Sequence, residues 1–350
     1  MKVFGRYFNY RLKQGALRTL VLTLISLVIT ITIVDDCCSM RAVPYRTTGI
    51  YMLAIIVGAF CTLMPFLELS GFKNRRNLDT LYFFPISRGK MALAHYLSGL
   101  VQVFVIYSVC FFSTWGVLAL SQSGFALGYM IIYYPLLFLL GTVIYSIMSF
   151  LIVQANSVID GIFFCGLWAF VLFLCIWVVR RYFLRGILMD TPYWSETADF
   201  AAWGIVYAPL NNLTVIFQDL IEVNRTGEAA VYSYTAKWAE TYMDQAYMFA
   251  LWGVVGVAAA VGYFVTFVRK GAQSAGETSD SWFGYKLLIP LYGYMLLMMN
   301  GDLNILTFII AALMVVGYVI YRRGFKLKKG DIAFICGGII PIVLIYLLNQ

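Results

Sequence analysis

Long apolar runs limit what this chain can fold into more than any other feature. A helix needs about 20 mainly apolar residues to cross the hydrocarbon core of a bilayer. Lipid offers no partner for backbone N–H and C=O groups, so such runs cross it as helices. We therefore predict an all-α, polytopic membrane protein with about nine transmembrane helices, at roughly residues 16–34, 49–69, 92–120, 126–152, 161–179, 246–268, 285–300, 303–321 and 332–348.

The composition agrees with a lipid-embedded chain. Charged residues make up only 12% of the sequence and hydrophobic residues 62%. A soluble domain carries about 25% charged residues, because its surface faces water. The net charge of +8 comes from short basic clusters between the apolar runs, which is typical of cytoplasmic loops, and no nucleic-acid-binding motif accompanies them. We expect no nucleic-acid partner.

The positions of lysine and arginine predict the orientation. In the nine-span prediction most basic residues fall on one side, which places the N-terminus in the cytoplasm of a multi-pass plasma-membrane protein. Arg180, Arg181 and Arg185 are exceptions, which we interpret as side chains that snorkel from the outer end of a span. The residues that set the orientation are Lys2, Arg6, Arg11, Lys13, Arg18, Lys73, Arg75, Arg76, Arg88, Lys90, Arg269, Lys270, Lys286, Arg322, Arg323, Lys326, Lys328 and Lys329.

Two segments outside the spans have recognisable character. Residues 1–15 combine basic side chains with apolar ones at helical spacing, which predicts an amphipathic helix on the inner leaflet; an ordinary basic leader is the alternative. Residues 184–245 are acidic and rich in Trp and Tyr, which predicts an extracellular or interfacial segment. Within it, the apolar stretch 200–217 is interrupted at Pro209, which favours an interfacial or re-entrant hairpin over a tenth span.

The central parts of the predicted spans lack the groups that ion-driven transporters use. Glu68, Asp160 and Lys286 lie at span edges, and Gln102 is the most notable polar residue deep in a span. Gln102 is a candidate pathway residue, or it hydrogen-bonds a neighbouring helix. His95 is the only histidine, and without partners at ligand spacing we interpret it as structural. The sequence contains no phosphate-binding loop of the G-x-x-x-x-G-K-[ST] type, so any ATP must be hydrolysed by another chain.

The predicted cytoplasmic loop at residues 70–91 has an ordered pattern. Leu78, Leu81 and Tyr82 share one face of a short helix, with Asp79 near its N-terminal end. Pro85 should end this helix, and Ser87 can cap the next one. A short helix with basic flanks and an aromatic end suits docking in a groove of a soluble partner. The alternative is an ordinary basic loop that only fixes orientation.

This loop resembles the coupling region of ABC transporter permeases of the type-two export class. The residues that carry the resemblance are Glu68, the basic stretch from Lys73 to Arg76, Leu78-Asp79 and Pro85-Ile86-Ser87-Arg88, with Phe84 where leucine is usual. The helix at 1–15 is similar to the elbow helix of this family. Residues 16–268 are similar to its six-span core, and residues 269–350 form an extension with three further spans that departs from it.

The resemblance implies a function as the membrane permease of an ATP-driven exporter for a hydrophobic or amphipathic cargo such as a peptide, antibiotic or lipid-like molecule. Implied partners are an ABC ATPase subunit, which would hold ATP and Mg²⁺, a second permease and membrane lipid; no cofactor is implied in this chain. Glu68 and Arg88 would transmit the movement. The implied ATPase-coupling residues are Asn74, Arg75, Arg76, Leu78, Asp79, Leu81, Tyr82, Phe83 and Phe84.

Two other classes of function remain alongside this one. A membrane sensor or scaffold would use the same loop to dock a cytoplasmic partner without transport. A membrane-embedded enzyme is disfavoured, because the sequence has no recognisable nucleophile–base pair or metal-ligand spacing.

Overall fold

The described part of the chain is helical, with turns and bends between the helices. A computed structural model describes residues 2–39, 43–74, 85–120, 128–182, 204–226, 228–270, 276–277, 279, 281–300, 305–322, 330 and 337. We number the helices α1 (Lys2–Ser39), α2 (Val43–Leu69), α3 (Arg88–Leu120), α4 (Gly128–Gln154), α5 (Val158–Tyr182), α6 (Ala208–Thr226), α7 (Glu228–Arg269), α8 (Tyr285–Asn300) and α9 (Ile305–Arg322), with a 3₁₀ turn (Ser70–Lys73) after α2.

Seven helices in this described part are long and apolar enough to cross a membrane, which supports a multi-pass membrane protein. They correspond to the first six and the eighth of the predicted spans. The seventh is present as the shorter apolar helix Tyr285–Met298. The ninth, 332–348, falls almost wholly outside the described residues, so the count of nine stays a prediction. The seven are Val3–Asp35, Ile50–Lys73, Arg88–Leu120, Gly128–Gln154, Val158–Val179, Ala246–Arg269 and Ile305–Arg322.

The first helix is continuous from Lys2 to Ser39, so a separate elbow helix over residues 1–15 is not confirmed. No proline interrupts this segment, and Ala16 and Leu17 favour helix. The helix has 38 residues, a length of about 57 Å, whereas the hydrocarbon core is about 30 Å thick. Part of α1 therefore extends beyond the hydrocarbon.

The segment around Pro209 forms a helix and not an interruption. Helix α6 begins at Ala208, so Pro209 lies in its first turn, where its missing N–H removes no helical bond. The Tyr207 hydroxyl is 2.7 Å from the Thr62 hydroxyl of α2, and Tyr133 of α4 hydrogen-bonds Thr214 of α6 at 2.9 Å. An interfacial or re-entrant position for this segment stays a prediction.

The contacts divide the chain into two units. The first comprises residues 1–153 and 207–273, and the second comprises residues 154–206 and 274–350. Helix α5 belongs to the second unit, whereas the predicted six-span core of residues 16–268 includes it. In the second unit, buried Leu174 and Trp177 pack with Met295, and the Tyr285 hydroxyl donates to Asp160 Oδ1 at 2.8 Å.

Candidate functional site

A buried carboxylate lies where α1, α2 and α3 meet in the first unit. Glu68 is the next-to-last residue of α2, and only 2% of it is exposed. Its Oε1 accepts hydrogen bonds from Arg18 Nη2 at 2.5 Å and from Gln102 Nε2 at 2.8 Å. Its Oε2 accepts one from Arg11 Nη2 at 2.9 Å. Both carboxylate oxygens are therefore occupied by donors from two other helices.

Gln102 connects the same three helices through its amide. Besides Glu68, its Nε2 donates to Ser98 Oγ at 3.1 Å. Its Oε1 accepts from Arg18 Nη2 at 2.8 Å and from Thr19 Oγ1 at 3.1 Å. The structure thus places Gln102 in an interhelical hydrogen-bond network. A role in a substrate pathway stays a prediction.

His95 and Tyr7 lie at the other side of the carboxylate. The Tyr7 hydroxyl and His95 Nε2 form a hydrogen bond of 2.9 Å. His95 Nδ1 is 3.4 Å from Glu68 Oε2 without the geometry of a hydrogen bond. Phe72 packs its ring edge-to-face on the imidazole, with centroids 4.8 Å apart. His95 is 1% exposed, so this part of the cluster is closed to solvent.

The burial of Glu68 follows from the lengths of the helices around it. In sequence Glu68 ends a span, but Gln102 lies 14 residues into α3, about 21 Å from its start. Arg18 lies 16 residues into α1, about 24 Å from its start. Helices α1 and α3 therefore continue past the end of α2 and cover the carboxylate.

Helices α1 and α3 approach closely at this level because residue 15 is glycine. A Cβ atom on Gly15 would lie 2.9 Å from Gln102 Nε2. A larger residue there would push the amide away from its partners. A buried charge is tolerated when it is paired and hydrogen-bonded, which is the arrangement around Glu68. We call Glu68, Arg11, Arg18, Gln102, His95 and Tyr7 the Glu68 cluster.

The helix ends that flank the predicted coupling loop are held by a second set of bonds. Lys73, after α2, and Lys270, after α7, both donate to the carbonyl of Val153 in the last turn of α4, at 3.4 and 2.6 Å. Arg88, at the start of α3, is 3.3–3.4 Å from the carbonyls of Val268 and Lys270. Cations suit these positions, because carbonyls at a helix C-terminus carry partial negative charge.

The predicted site residues have different outcomes. Glu68, Arg88 and Gln102 are placed as described above. Asn74 is exposed at the edge of the described residues. The other predicted coupling residues lie outside the described residues, so their contact with an ATPase stays a prediction. They are Arg75, Arg76, Leu78, Asp79, Leu81, Tyr82, Phe83 and Phe84.

Sequence reasoning did not group four members of the Glu68 cluster. In the sequence, the basic pattern predicts only that Arg11 and Arg18 set the orientation, and His95 stands as a single structural residue. A signal was present, since Tyr7, Arg11 and Arg18 follow a spacing of four and seven and thus share one face of a helix. The acidic partner for that face lies 50 residues beyond Arg18, where a one-helix pattern gives no information.

The described residues do not indicate a particular metal or cofactor. No set of three or more His, Cys, Asp or Glu that could hold a metal ion occurs among the described residues. No protein-family model and no curated protein sequence matches this chain.

Proposed function

We propose that this chain is the membrane permease subunit of an ATP-driven exporter in the plasma membrane. A separate ATPase would bind and hydrolyse ATP with Mg²⁺, and the cargo would be hydrophobic or amphipathic. One observation carries the proposal: the helix that enters the 70–91 loop is joined through Glu68 to Arg11 and Arg18 of α1 and to Gln102 of α3. A second permease would complete the transporter.

These bonds provide a mechanical path from the loop into the spans. A partner that pulls or pushes on the loop would move the ends of α2 and α3 first. Because Glu68 near the end of α2 is bonded to α1 and α3, the three helices would shift together and not slide past one another. Lys73 and Arg88 would carry the same movement to the ends of α4 and α7. Such a connection suits a loop that transmits force.

The cluster suits this mechanical role better than ion-coupled transport. A buried charge is either paired or coordinates a cation, so a carboxylate with its cationic partners in place must release them before it binds a driving cation. Here Arg11, Arg18 and Gln102 already occupy both oxygens of Glu68. Energy from a partner ATPase removes the need for an open acidic site in this chain.

Coexpression with a partner ATPase tests the proposal. The chain would be purified together with a candidate ABC ATPase, and ATP hydrolysis of the complex in liposomes would be compared with that of the ATPase alone. We expect copurification and faster hydrolysis in the complex. Leu81→Asp with Tyr82→Asp should abolish copurification. Glu68→Gln should leave the complex intact but lower the permease-dependent part of hydrolysis by tenfold or more, about 1.4 kcal/mol of coupling.

The control is Leu120→Asp, which puts one aspartate on an 83%-exposed leucine at the opposite end of α3. It should copurify and hydrolyse ATP like the unmodified chain. If the loop variant still copurifies with full hydrolysis, the coupling role of the loop is wrong. If the complex forms but never changes the hydrolysis rate, the chain is a scaffold and not an exporter subunit.

A further inference from the structure

An apolar groove runs along the outer face of the first unit between α1 and α3. Its volume is about 380 Å³, and its wall extends from Leu12 to Leu24 on α1 and from Val101 to Val105 on α3. Leu20 and Leu24 in this wall are more than half exposed, at 56% and 53%. In a membrane this opening faces lipid.

The groove has the length of an acyl chain in one leaflet. From Leu12 to Leu24 the helix rises 12 residues, about 18 Å. One leaflet contributes half of a hydrocarbon core of about 30 Å, or about 15 Å. Thr19, Thr23 and Gln102 supply the polar side chains of the wall. Thr19 bonds Gln102, Gln102 bonds Glu68, and the Thr23 hydroxyl donates to the Thr19 carbonyl, so all three already have partners. The remaining wall is apolar and has no polar partner to offer a peptide backbone.

Helices α1 and α3 run parallel, so the same end of each helix lies at the same end of the groove. Three contacts fix this alignment: Tyr7 with His95 at 2.9 Å, Thr19 with Gln102 at 3.1 Å, and Cys110 with Ser26 at 3.5 Å. The N-terminal turns of α1 and α3 therefore lie at the same end of the groove, on the N-terminal side of Leu12 and Val101.

Three cations lie at this end of the groove or nearer the N-termini: Lys13 follows Leu12 directly, and Arg6 and Lys90 lie on turns closer to the starts of α1 and α3. Lys13 precedes Leu20 by seven residues, Arg6 precedes Lys13 by seven, and Lys90 precedes Val101 by eleven. Spacings of seven and eleven return to the same helix face, so each cation stands on the face that borders the groove. All three are exposed, and none forms a hydrogen bond or salt bridge with another described residue.

We propose that this groove binds one anionic phospholipid, with an acyl chain between α1 and α3 and its phosphate at the end of the groove beside Lys13, on the side where Arg6 and Lys90 also lie. Charge complementarity and the length of the groove both favour this occupant. A second copy of the chain fits less well, because a two-fold interface would bring Arg6 and Lys13 of one copy against the same residues of the other. The bound lipid would fill the gap beside Gln102 and thereby support the packing of α1 on α3.

Spin-labelled lipids provide the test. The full chain would be reconstituted in phosphatidylcholine vesicles that contain a small fraction of spin-labelled phosphatidylglycerol or spin-labelled phosphatidylcholine. We expect the motionally restricted fraction to be larger for phosphatidylglycerol. Lys13→Gln with Lys90→Gln should reduce this preference by about fivefold for each cation removed. Arg269→Gln, an exposed cation away from the groove, should leave it unchanged.

Variants that fill the groove with a larger side chain distinguish lipid that binds in the groove from lipid that is only attracted to the surface charge. Ala16→Phe, which keeps all cations, should remove the tightly restricted phosphatidylglycerol, whereas Val21→Phe on the same helix but outside the groove should not. Val105→Phe fills the groove from α3 and should reproduce the loss if Ala16→Phe alone fails to fold. Equal restriction of the two lipids, or a preference unaffected by both groove variants, would overturn the proposal. The proposal would also be wrong if a groove variant reduced chemical cross-linking between two copies of the chain but left lipid binding unchanged.

Discussion

Glu68 receives hydrogen bonds from three side chains on two other helices, so its charge is compensated without water. Forming such a buried pair adds little net stability, because desolvation of the charges offsets most of their attraction. Removing one partner is costly, by about 3–5 kcal/mol, because the remaining charge stays buried. The Glu68 cluster therefore acts mainly to fix how α1, α2 and α3 align.

Gly99 of α3 allows a tyrosine to pack beside this carboxylate. A Cβ on Gly99 would overlap the Tyr145 hydroxyl and lie 3.3 Å from Glu68 Cγ. The Tyr145 hydroxyl donates to the Tyr96 carbonyl at 3.1 Å, so its displacement also breaks a bond. We expect Gly99→Ala to destabilise the protein by about 1–3 kcal/mol, as overpacking does. Thermal unfolding in detergent, followed by intrinsic fluorescence, measures this as a lower melting temperature.

Gly116 on the same helix provides the matched control. No atom lies within 4 Å of the position that its Cβ would take. Alanine favours a helix over glycine by up to about 1 kcal/mol. Gly116→Ala should therefore leave the melting temperature unchanged or raise it. Equal melting temperatures for the two alanine variants would show that the contact between Gly99 and Tyr145 does not constrain the packing.

At the scale of the helices, sequence pattern predicts which segments are helical better than where they end. The predicted spans 92–120 and 246–268 lie within α3 and α7, but α7 begins as early as Glu228. The hydropathy signal ends with the apolar run, whereas the backbone hydrogen bonds of the helix continue into the polar residues beside it. Glu68 lies at the end of α2, as the apolar run predicts, but its burial does not follow from that position. Its burial depends on the extra turns of α1 and α3, and no pattern within α2 contains them.

The candidate site was predictable only in part. Glu68 and Gln102 are conspicuous in sequence because polar groups are rare near the middle and ends of apolar runs. Their connection to Arg11, Arg18 and His95 could not be predicted from the sequence, because it depends on which helices pack together. Helical spacing within α1 indicates a shared face, but it does not identify the helix that this face contacts.

The ends of α4 and α7 are joined by one short hydrogen bond, from Lys270 Nζ to the Val153 carbonyl at 2.6 Å. Lys270→Gln removes this cation from a helix C-terminus, which costs about 0.5–1 kcal/mol. We expect backbone amides in the last turns of both helices to exchange with deuterium about two- to fivefold faster. Hydrogen-exchange mass spectrometry of the full chain in detergent measures the change at these ends.

Arg269 is the matched control for Lys270. It is adjacent in sequence, exposed, and forms no hydrogen bond or salt bridge with another described residue. Arg269 lies in the last turn of α7 and forms no hydrogen bond with α4, so Arg269→Gln should leave exchange at the end of α4 unchanged. The same exchange rates in both variants would mean that the Lys270 bond does not hold the two ends together.

At the scale of the whole chain, the proposed force path belongs to one unit. The Glu68 cluster, Lys73, Arg88 and Lys270 all lie in residues 1–153 and 207–273. The second unit has its own buried core, with Phe164 and Leu288 at its centre. An exporter built on this chain would therefore receive force from the ATPase in the first unit, and the contacts of α5 with α8 are separate from that path.

The contacts of the first unit also predict sidedness. Lys73 and Lys270 both bond the Val153 carbonyl at the end of α4, and Arg88 contacts the carbonyls of Val268 and Lys270 at the end of α7. These helix ends therefore lie on one side of the membrane. Leu120 ends α3 after 33 residues, about 48 Å away and beyond a hydrocarbon core of about 30 Å. The excess of lysine and arginine predicts that the first side faces the cytoplasm.

Single cysteines introduced into a chain without its seven native ones test this topology in intact cells. A membrane-impermeant maleimide should label Leu120→Cys directly, and Asn74→Cys and Arg269→Cys only after permeabilisation. Labelling of Asn74→Cys and Arg269→Cys from opposite sides would contradict the arrangement of helix ends. Labelling of both from outside would agree with that arrangement of helix ends but reverse the orientation of the chain in the membrane. A cytoplasmic ATPase could then not contact the loop, so the export proposal would be wrong although the fold would not be contradicted.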